Sequence, residues 1–204
     1  MEDKFELAED RTIEYYEENA DIFVNSTINA DVNCLYTFFE KYITPGCRIL
    51  DLGCGSGRDS RYFAEKGYDV VAIDPSAAMC EKTKDIVNVP VYRMKAEDIS
   101  FNNEFDAVWA CASLLHVCKL NMKQTLSRVS NALRKGGVLY ASWKYGRDER
   151  YENGRYFSDY IEADMETLID CIPEFSLIEM WMTEDVRPEK RSSSKWLNVL
   201  LKKA

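Results

Sequence analysis

The chain has 204 residues, 46% of them apolar and 30% charged, a composition typical of a globular protein with a buried core. Its formal net charge of −9 and its pI of about 4.8 argue against a nucleic-acid-binding surface. No apolar run approaches the ~18–20 residues of a membrane span, and the N-terminus lacks the basic start and apolar segment of a signal peptide. Seven cysteines without a Cys-x-x-Cys pair, together with a single histidine, predict reduced thiols, no bound metal and a cytoplasmic location.

Two helices are predicted ahead of the first strand. Apolar residues recur at helical spacing over residues 13–27 and again over 32–42, and the run TPG at 44–46 ends the second helix. Spacing alone assigns Tyr16 to the core. Residues 1–40 carry eleven acids and two bases, whereas 187–204 carry six bases and one acid. This asymmetry indicates either solvated ends or a basic tail that partly faces an anionic substrate.

A glycine-rich turn follows the first predicted strand. Residues 49–58 read ILDLGCGSGR, an apolar strand that ends in an acid and is followed by glycines at alternate positions. Such a strand ends in a tight turn whose backbone is free to approach a ligand before a helix begins. The next strand pattern, residues 69–73, ends at Asp74. These features are typical of a Rossmann-like unit that holds a nucleoside, with the glycines against its chain and Asp74 on the ribose hydroxyls.

The spacing of the glycines indicates which nucleoside is bound. A dinucleotide fingerprint has glycines at the first, third and sixth positions, but Arg58 occupies the sixth position counted from Gly53. Asp51, ahead of the turn, would repel a pyrophosphate and suits an ammonium or sulfonium group. The run from Leu50 to Gly57 resembles the first motif of class I S-adenosylmethionine-dependent methyltransferases. Within that class, the chain resembles the small single-domain enzymes of the tellurite-resistance type.

The resemblance implies an α/β fold with a Rossmann-like, doubly wound sheet of seven strands, mostly parallel with an antiparallel C-terminal strand, and helices on both faces. The later elements fit this order. Further strands are predicted at 91–94, 105–110, 138–143, 175–183 and 196–201, and helices at 58–66, after a Ser76 N-cap, and through 122–133 and 161–172. Gly136 and Gly137 are predicted to form a turn ahead of the fifth strand.

One methyltransferase domain is predicted over 1–204, because the sequence contains no repeat and no linker. Its parts are a helical cover (1–44), a cofactor-binding core (46–143) and an acceptor-side loop, helix and closing hairpin (144–204).

The resemblance also implies S-adenosylmethionine as the cofactor and assigns contacts to it. An aromatic side chain of the cover, from Tyr15 or Tyr16, lies against the cofactor, and an acid beside Ala96 binds the adenine amine. Lys95 stands where that acid is expected first, so Glu97 or Asp98 takes the role. Because ligands bind beyond the carboxyl ends of the strands in an open α/β sheet, residues 110–116 border the methyl group. The predicted cofactor-binding residues are Tyr15, Tyr16, Asp51, Gly53, Cys54, Gly55, Ser56, Gly57, Arg58, Asp74, Pro75, Ala96, Glu97, Asp98, Ala110, Cys111 and His116.

The implied chemistry is in-line methyl transfer to a small-molecule acceptor. His116 or Tyr16 is the candidate base, and the alternative is that His116 only shapes the pocket. Cys111 is predicted to be a wall contact, because nothing nearby in sequence activates its thiol. Residues 144–160 follow the fifth strand at the active-site end and either form the acceptor pocket or are a solvated loop. The predicted acceptor contacts are Tyr145, Arg155 and Arg187, with Arg191 as a further choice, and they suit an anionic molecule.

Two other functions remain open at this point. One is a nucleic-acid or protein methyltransferase, against which the acidic balance argues. The other is a non-catalytic S-adenosylmethionine-binding module that regulates a partner. An oxidoreductase is the weakest alternative, because Arg58 replaces the packing glycine of a dinucleotide site.

Overall fold

The computed structural model describes residues 2–187 and 194–204. Its strands are β1 (Arg48–Leu52), β2 (Asp69–Asp74), β3 (Val91–Arg93), β4 (Phe105–Ala110), β5 (Leu133–Lys144), β6 (Glu149–Glu152), β7 (Arg155–Ser158), β8 (Phe175–Glu184) and β9 (Lys195–Lys203). Its helices are α1 (Glu2–Glu18), α2 (Ala20–Thr27), α3 (Asn33–Phe39), α4 (Arg58–Glu65), α5 (Ala77–Ile86), α6 (Lys119–Ala132) and α7 (Glu162–Asp170). Over these residues, no helix combines the length and the apolar character needed to cross a bilayer.

Within the described ranges, seven strands form one sheet in the order β3-β2-β1-β4-β5-β9-β8. Strands β1 to β5 pair in parallel, whereas β9 lies antiparallel between β5 and β8. The predicted Rossmann-like, doubly wound sheet with an antiparallel C-terminal strand is therefore confirmed. The strand order reverses between β1 and β4, which places a ligand-binding crevice at the carboxyl ends of these strands.

Helices cover both faces of the sheet because its central strands are apolar on both sides. On one face, Phe39 of α3 and Phe63 of α4 belong to a buried cluster that includes Ile49 of β1. On the opposite face, Leu126 of α6 belongs to a second cluster that includes Leu50 of β1. Successive residues of one strand thus point into different helix layers. The sheet is held from both sides, and its strand ends provide fixed positions for a site.

The helix predicted over 13–27 is divided in two. Helix α1 ends at Glu18 and α2 begins at Ala20, with Asn19 between them at φ −115° and ψ 20°. The Asn19 side-chain amide donates a hydrogen bond of 2.9 Å to the Tyr15 carbonyl oxygen. The Asn19 backbone N–H also donates to this oxygen at 3.0 Å, so the helical hydrogen bond is kept and the break lies in the backbone angles of Asn19.

The acceptor-side segment, predicted without regular structure, contains a β-hairpin. Strand β6 pairs antiparallel with β7, with Glu152 opposite Arg155. Asn153 and Gly154 form the turn, with φ angles of 51° and 80°. An Asn-Gly pair between two strands is a strong hairpin signal, so this element was accessible from the sequence.

Strand β5 begins at Leu133, directly after α6, and not at residue 138 as predicted. Its pairing with β4 changes register between Phe105, opposite Leu133, and Ala107, opposite Val138. Gly136 lies in this irregular part with φ 77°. The two glycines therefore interrupt a strand and do not form the predicted turn between elements.

Candidate cofactor and acceptor site

A cleft with two adjoining cavities lies at the carboxyl ends of β1, β2 and β4. The small cavity, about 110 Å³ in volume, has walls that include Ile73, Asp74, Pro75, Met94, Ala96 and Glu97. The large cavity, about 160 Å³, has walls that include Ser56, Arg58, Cys111, Lys144, Arg155 and Phe157. Both cavities are lined by Tyr16, Phe23, Gly53, Gly55, Ala112 and His116, so they meet at these side chains and at the glycine turn.

The glycine turn forms the floor where the cavities meet. A Cβ atom on Gly53, which has φ 81°, would lie only 2.3 Å from the Ser113 Cβ. A Cβ on Gly55, at φ 49°, would lie 3.2 Å from the Phe23 ring of α2. The backbone N–H groups of Gly53 and Cys54 both donate to the Ile73 carbonyl oxygen at the end of β2. These contacts explain why glycine is needed here and hold the turn against β2.

Asp74, the last residue of β2, lies in the wall of the small cavity and is 7% exposed. Its carboxylate accepts hydrogen bonds from the backbone N–H groups of Gly55 at 3.0 Å and Ser76 at 2.9 Å. Burial raises its pKa to about 6, although the two N–H donors act in the opposite direction. A carboxylate at this position has lone pairs left for the hydroxyl groups of a ribose.

Asp51 lies behind the turn and lines neither cavity. It is 1% exposed and accepts a hydrogen bond from the Ser60 hydroxyl of α4. Burial, together with the nearby charge of Asp59, raises its pKa to about 8. The structure thus places Asp51 behind the cavity walls, and its interaction with an ammonium group stays a prediction.

Tyr16 and His116 form a hydrogen-bonded pair between the two cavities. The Tyr16 hydroxyl lies 2.9 Å from His116 Nε2, and His116 Nδ1 lies 2.6 Å from the Tyr156 carbonyl oxygen. Because a carbonyl oxygen only accepts, Nδ1 carries the proton and Nε2 accepts from Tyr16. Burial lowers the pKa of His116 to about 4, and the cations Arg155 and Lys144 also lower it. The imidazole is thus neutral at pH 7.

Burial also raises the pKa of Tyr16, although Arg155 acts against this rise. The hydroxyl therefore stays protonated at neutral pH and keeps its hydrogen for His116.

The exit of β4 has a constrained backbone. Ala112 adopts φ 54°, a left-handed conformation that is uncommon for a residue other than glycine. Its N–H donates to the Ser142 hydroxyl of β5 at 2.8 Å, which holds this conformation against both cavities. Burial, with the charge of Asp59, raises the pKa of the neighbouring Cys111 to about 12. Cys111 is thus a protonated wall residue and not an activated nucleophile.

The cations on the acceptor side differ in how they are paired. The Arg155 guanidinium lies 4.7 Å from the centre of the Tyr15 ring and 5.3 Å from that of Phe157, and its buried Nε has no hydrogen-bond partner among the described residues. Arg187 instead forms a bidentate ion pair with Asp185, with N–O distances of 2.8 and 2.6 Å. Arg155 is therefore the more available cation in the large cavity.

The helical cover is fastened on both sides of the cleft. Glu17 of α1 accepts the N–H groups of Ala77 at 2.6 Å and Ala78 at 2.9 Å, at the start of α5. Ion pairs join Asp10 to Lys95 at 2.7 Å and Asp21 to Lys82 at 2.5 Å. On the hairpin side, the Tyr156 N–H donates to the Thr12 hydroxyl at 2.9 Å. The cover is thus held over the cleft by contacts on both sides.

The structure brings most of the predicted site residues to the cleft. Those that line a cavity are Tyr16, Gly53, Cys54, Gly55, Ser56, Arg58, Asp74, Pro75, Ala96, Glu97, Cys111, His116, Arg155 and Arg187. Those that line neither cavity are Tyr15, Asp51, Gly57, Asp98, Ala110 and Tyr145. Tyr145 is 37% exposed and donates to Glu162 at 2.9 Å. Arg191 lies outside the described residues.

Sequence reasoning did not single out several residues of the cleft, namely Phe23, Ser142, Phe157 and Trp196. Phe23 had the same helical spacing as Tyr16, and Phe157 follows the Asn-Gly turn. Those two signals were available in the sequence. Ala112 and Ser142 come together only through the pairing of β4 with β5.

Residues 49–137 match the family model described as a methyltransferase domain. This match covers less than half of the chain. Over these residues, the sheet order and the glycine turn with Asp74 at the tip of β2 are similar to those of class I methyltransferases, the class whose cofactor is S-adenosylmethionine.

Individual relatives are similar over part of their length. An uncharacterized methyltransferase from Synechocystis sp. is 34% identical over 101 residues, covering 48% of this chain and 47% of the relative. One from Mycobacterium tuberculosis is 29% identical over 159 residues, covering 77% of this chain and 60% of the relative. The chain thus spans about half to three fifths of the length of these curated relatives.

Among solved structures, the Burkholderia thailandensis 1,6-didemethyltoxoflavin-N1-methyltransferase, with bound 1,6-didemethyltoxoflavin and S-adenosylhomocysteine, has the same fold. Its TM-score is 0.74 at 18% identity, covering 96% of this chain and 87% of that chain.

Proposed function

We propose that this protein transfers the methyl group of S-adenosylmethionine to a small anionic molecule held in the large cavity. The observation that carries the proposal is the pair of joined cavities. Asp74 and Glu97 stand in the wall of one, Arg155 stands in the wall of the other, and Tyr16 and His116 lie where they meet.

The residues of the small cavity fit the adenosine part of the cofactor. Asp74 accepts hydrogen bonds from the ribose hydroxyls, and the Glu97 side chain with the Ala96 backbone holds the adenine. The close approach at Gly53 leaves backbone and no side chain beside the ligand. Of the two cover tyrosines, Tyr16 lines both cavities, so we assign the aromatic cofactor contact to it.

Arg58 is assigned to the methionyl carboxylate. It lies in the wall of the large cavity at the first position of α4, where orphan N–H groups also favour an anion.

When bound, S-adenosylmethionine supplies an electrophilic methyl group, which a lone pair of the acceptor displaces from sulfur in line. The protein aligns the two reactants, an effect that supplies about 7–11 kcal/mol in favourable cases, and the cover excludes water. His116, whose pKa is about 4, is a weak base at neutral pH. A weak base favours acceptors that are already ionised, and for a protonated acceptor the route for the proton leads through the Tyr16 hydroxyl to His116 Nε2.

The charges of the large cavity support an anionic acceptor. Arg155 has a buried nitrogen without a partner among the described residues, whereas Asp185 neutralises Arg187. The 1,6-didemethyltoxoflavin bound to the Burkholderia enzyme supports a small-molecule acceptor in this fold. The proposal includes two further points. The chain is of the tellurite-resistance type, and residues 1–204 form one domain.

The test begins with calorimetric titration of S-adenosylmethionine, S-adenosylhomocysteine and NAD into the protein. We expect micromolar binding of the first two ligands and none of NAD. Labelled S-adenosylmethionine is then used with a panel of aromatic carboxylates, phenolates and phosphates, each paired with its neutral ester. Transfer to the anions and not to the esters is expected. Binding of NAD alone would refute the cofactor assignment, and equal transfer to the esters would refute the anionic acceptor.

A further inference from the structure

Asp59 lies at the centre of a buried hydrogen-bond network beside the large cavity, and it is 7% exposed. Its Oδ1 accepts from Arg58 Nε at 2.6 Å and from the Tyr36 hydroxyl. Its Oδ2 accepts from Arg58 Nη2 at 2.9 Å and from Trp109 Nε1 at 2.9 Å. Each oxygen therefore receives one bond from Arg58 and one from an aromatic side chain. The network joins α3, α4 and β4.

The network keeps Asp59 charged and Arg58 in one orientation. Burial alone would raise the pKa of Asp59, but Arg58, Tyr36 and Trp109 together lower it below its usual value. Four hydrogen bonds use the lone pairs that a carboxylate has in its plane, so the carboxylate cannot rotate without losing donors. The carboxylate accepts hydrogen bonds from Nε and Nη2 of Arg58, and Nη1 takes no part in this pairing. Arg58 reaches the large cavity, with Nη2 3.8 Å from the Cys111 sulfur.

We propose that Asp59, held by Tyr36 and Trp109, is a positioning residue that orients the Arg58 guanidinium toward the amino-acid end of S-adenosylmethionine. The inference rests on the proposed function. An arginine side chain loses much rotational freedom when it binds a ligand, and a guanidinium already fixed by a carboxylate loses less. The Arg58–Asp59 pair carries no net charge, which suits a head group that has both an ammonium and a carboxylate.

The network leads to a prediction that separates positioning from general stability. S-adenosylhomocysteine and 5′-methylthioadenosine share the adenosine, but the second ligand lacks the amino-acid end. In the Asp59→Asn variant, calorimetry should show an affinity for S-adenosylhomocysteine about 10- to 100-fold weaker, because charge-assisted hydrogen bonds are lost. The affinity for 5′-methylthioadenosine should stay within about twofold, because the adenosine site is separate.

Two tyrosines provide a matched pair of variants. Tyr36→Phe removes the hydroxyl from Asp59 and keeps the ring, which stacks on Tyr62 at 3.7 Å between centres. It should weaken S-adenosylhomocysteine binding by about 2- to 10-fold. Tyr62→Phe removes a hydroxyl that donates to Glu40 at 3.2 Å, outside the network. This variant should leave the affinity for both ligands unchanged. Tyr36→Phe decides the question if the Asp59 variant binds neither ligand.

A double-mutant cycle with Arg58→Ala completes the test. If Asp59 acts through Arg58, Asp59→Asn has no further effect on S-adenosylhomocysteine affinity once Arg58 is alanine. Additive losses would mean that Asp59 contacts the ligand itself, and equal losses for both ligands in the Asp59 and Tyr36 variants would mean a merely structural role. Either result overturns the inference while the proposed function stands. A wild-type protein that binds neither ligand would overturn the proposed function, and this inference with it.

Discussion

Replacing Asp74 by asparagine tests the ribose assignment with little change of shape. The carboxylate is buried and already accepts the N–H groups of Gly55 and Ser76. An amide keeps only one acceptor oxygen, and its NH₂ group would face one of these donors. At least one charge-assisted hydrogen bond to the ribose is then lost, which reduces the binding free energy by about 1.5–3 kcal/mol. We therefore expect S-adenosylhomocysteine to bind about 10- to 150-fold more weakly.

The pKa of Asp74 adds a second signature to the same experiment. Burial raises this pKa to about 6, and the charged form is the one that accepts two ribose hydroxyls. Above pH 7 the group is ionised and does not limit binding. Below pH 6 the charged fraction falls, so the wild-type affinity should decrease by up to about tenfold per pH unit. The Asp74→Asn variant should lack this decrease.

Calorimetry with S-adenosylhomocysteine at pH 5, 6, 7 and 8 measures both effects. Asp69→Asn is the control, because Asp69 begins the same strand at its other end, where it is exposed and pairs with Arg48 at 2.9 Å. The control should bind as the wild type does at every pH. Wild-type affinity in the Asp74→Asn variant, or a wild-type affinity that does not change between pH 7 and pH 5, would refute the reasoning.

Three further variants test the acceptor side and the cover. Arg155→Met should raise the KM for an anionic acceptor by about tenfold or more, because a charge-assisted contact is lost, and it should leave S-adenosylhomocysteine binding unchanged. The control is Arg147→Met, at an exposed arginine. Equal KM values for the two variants would contradict the role of Arg155. Because burial lowers the pKa of His116 to about 4, the wild-type kcat should show no inflection near pH 6.5, whereas an inflection there that disappears in His116→Gln would show that the imidazole titrates normally. Glu17→Gln removes the charge that accepts the first N–H groups of α5, so stopped-flow measurements should show faster release of S-adenosylhomocysteine, and an unchanged rate would contradict a role of this contact in closure.

The parts of the site that were predictable from sequence are those encoded within a few residues. The strand, the glycine turn and the following helix are adjacent in the chain, and the close approach at Gly53 requires a glycine. Asp74 was identified because the carboxyl ends of parallel strands meet at one edge of the sheet. Helix and strand positions followed from apolar spacing, and the errors occurred where the backbone changes conformation locally. Asn19, with φ −115° and ψ 20° between α1 and α2, is the example in the cover.

The contacts that sequence reasoning could not supply join distant parts of the chain. Tyr16 and His116 are separated by 100 positions, and they meet only because α1 is docked on α5 and on the hairpin. Asp51 was expected beside the ligand, and in the structure its carboxylate lies behind the turn, where it accepts a hydrogen bond from the Ser60 hydroxyl of α4. Tyr145 precedes the β6–β7 hairpin and turns outward to Glu162, whereas Arg155 is carried back to the cavity by β7.

The docking of the cover also explains the uneven charge of the sequence. Asp10, Glu17 and Asp21 belong to the acidic N-terminal segment, and all three engage α5 or the β3 region rather than the cavities. Their negative charge thus lies at the edge of the cleft and outside the large cavity. Arg155 lines that cavity. Exclusion of water strengthens each charge interaction inside the large cavity, because the local dielectric constant is lower than that of the solvent. The acidic cover therefore lies over a cavity that Arg155 lines, and the net charge of −9 does not describe the charges inside that cavity.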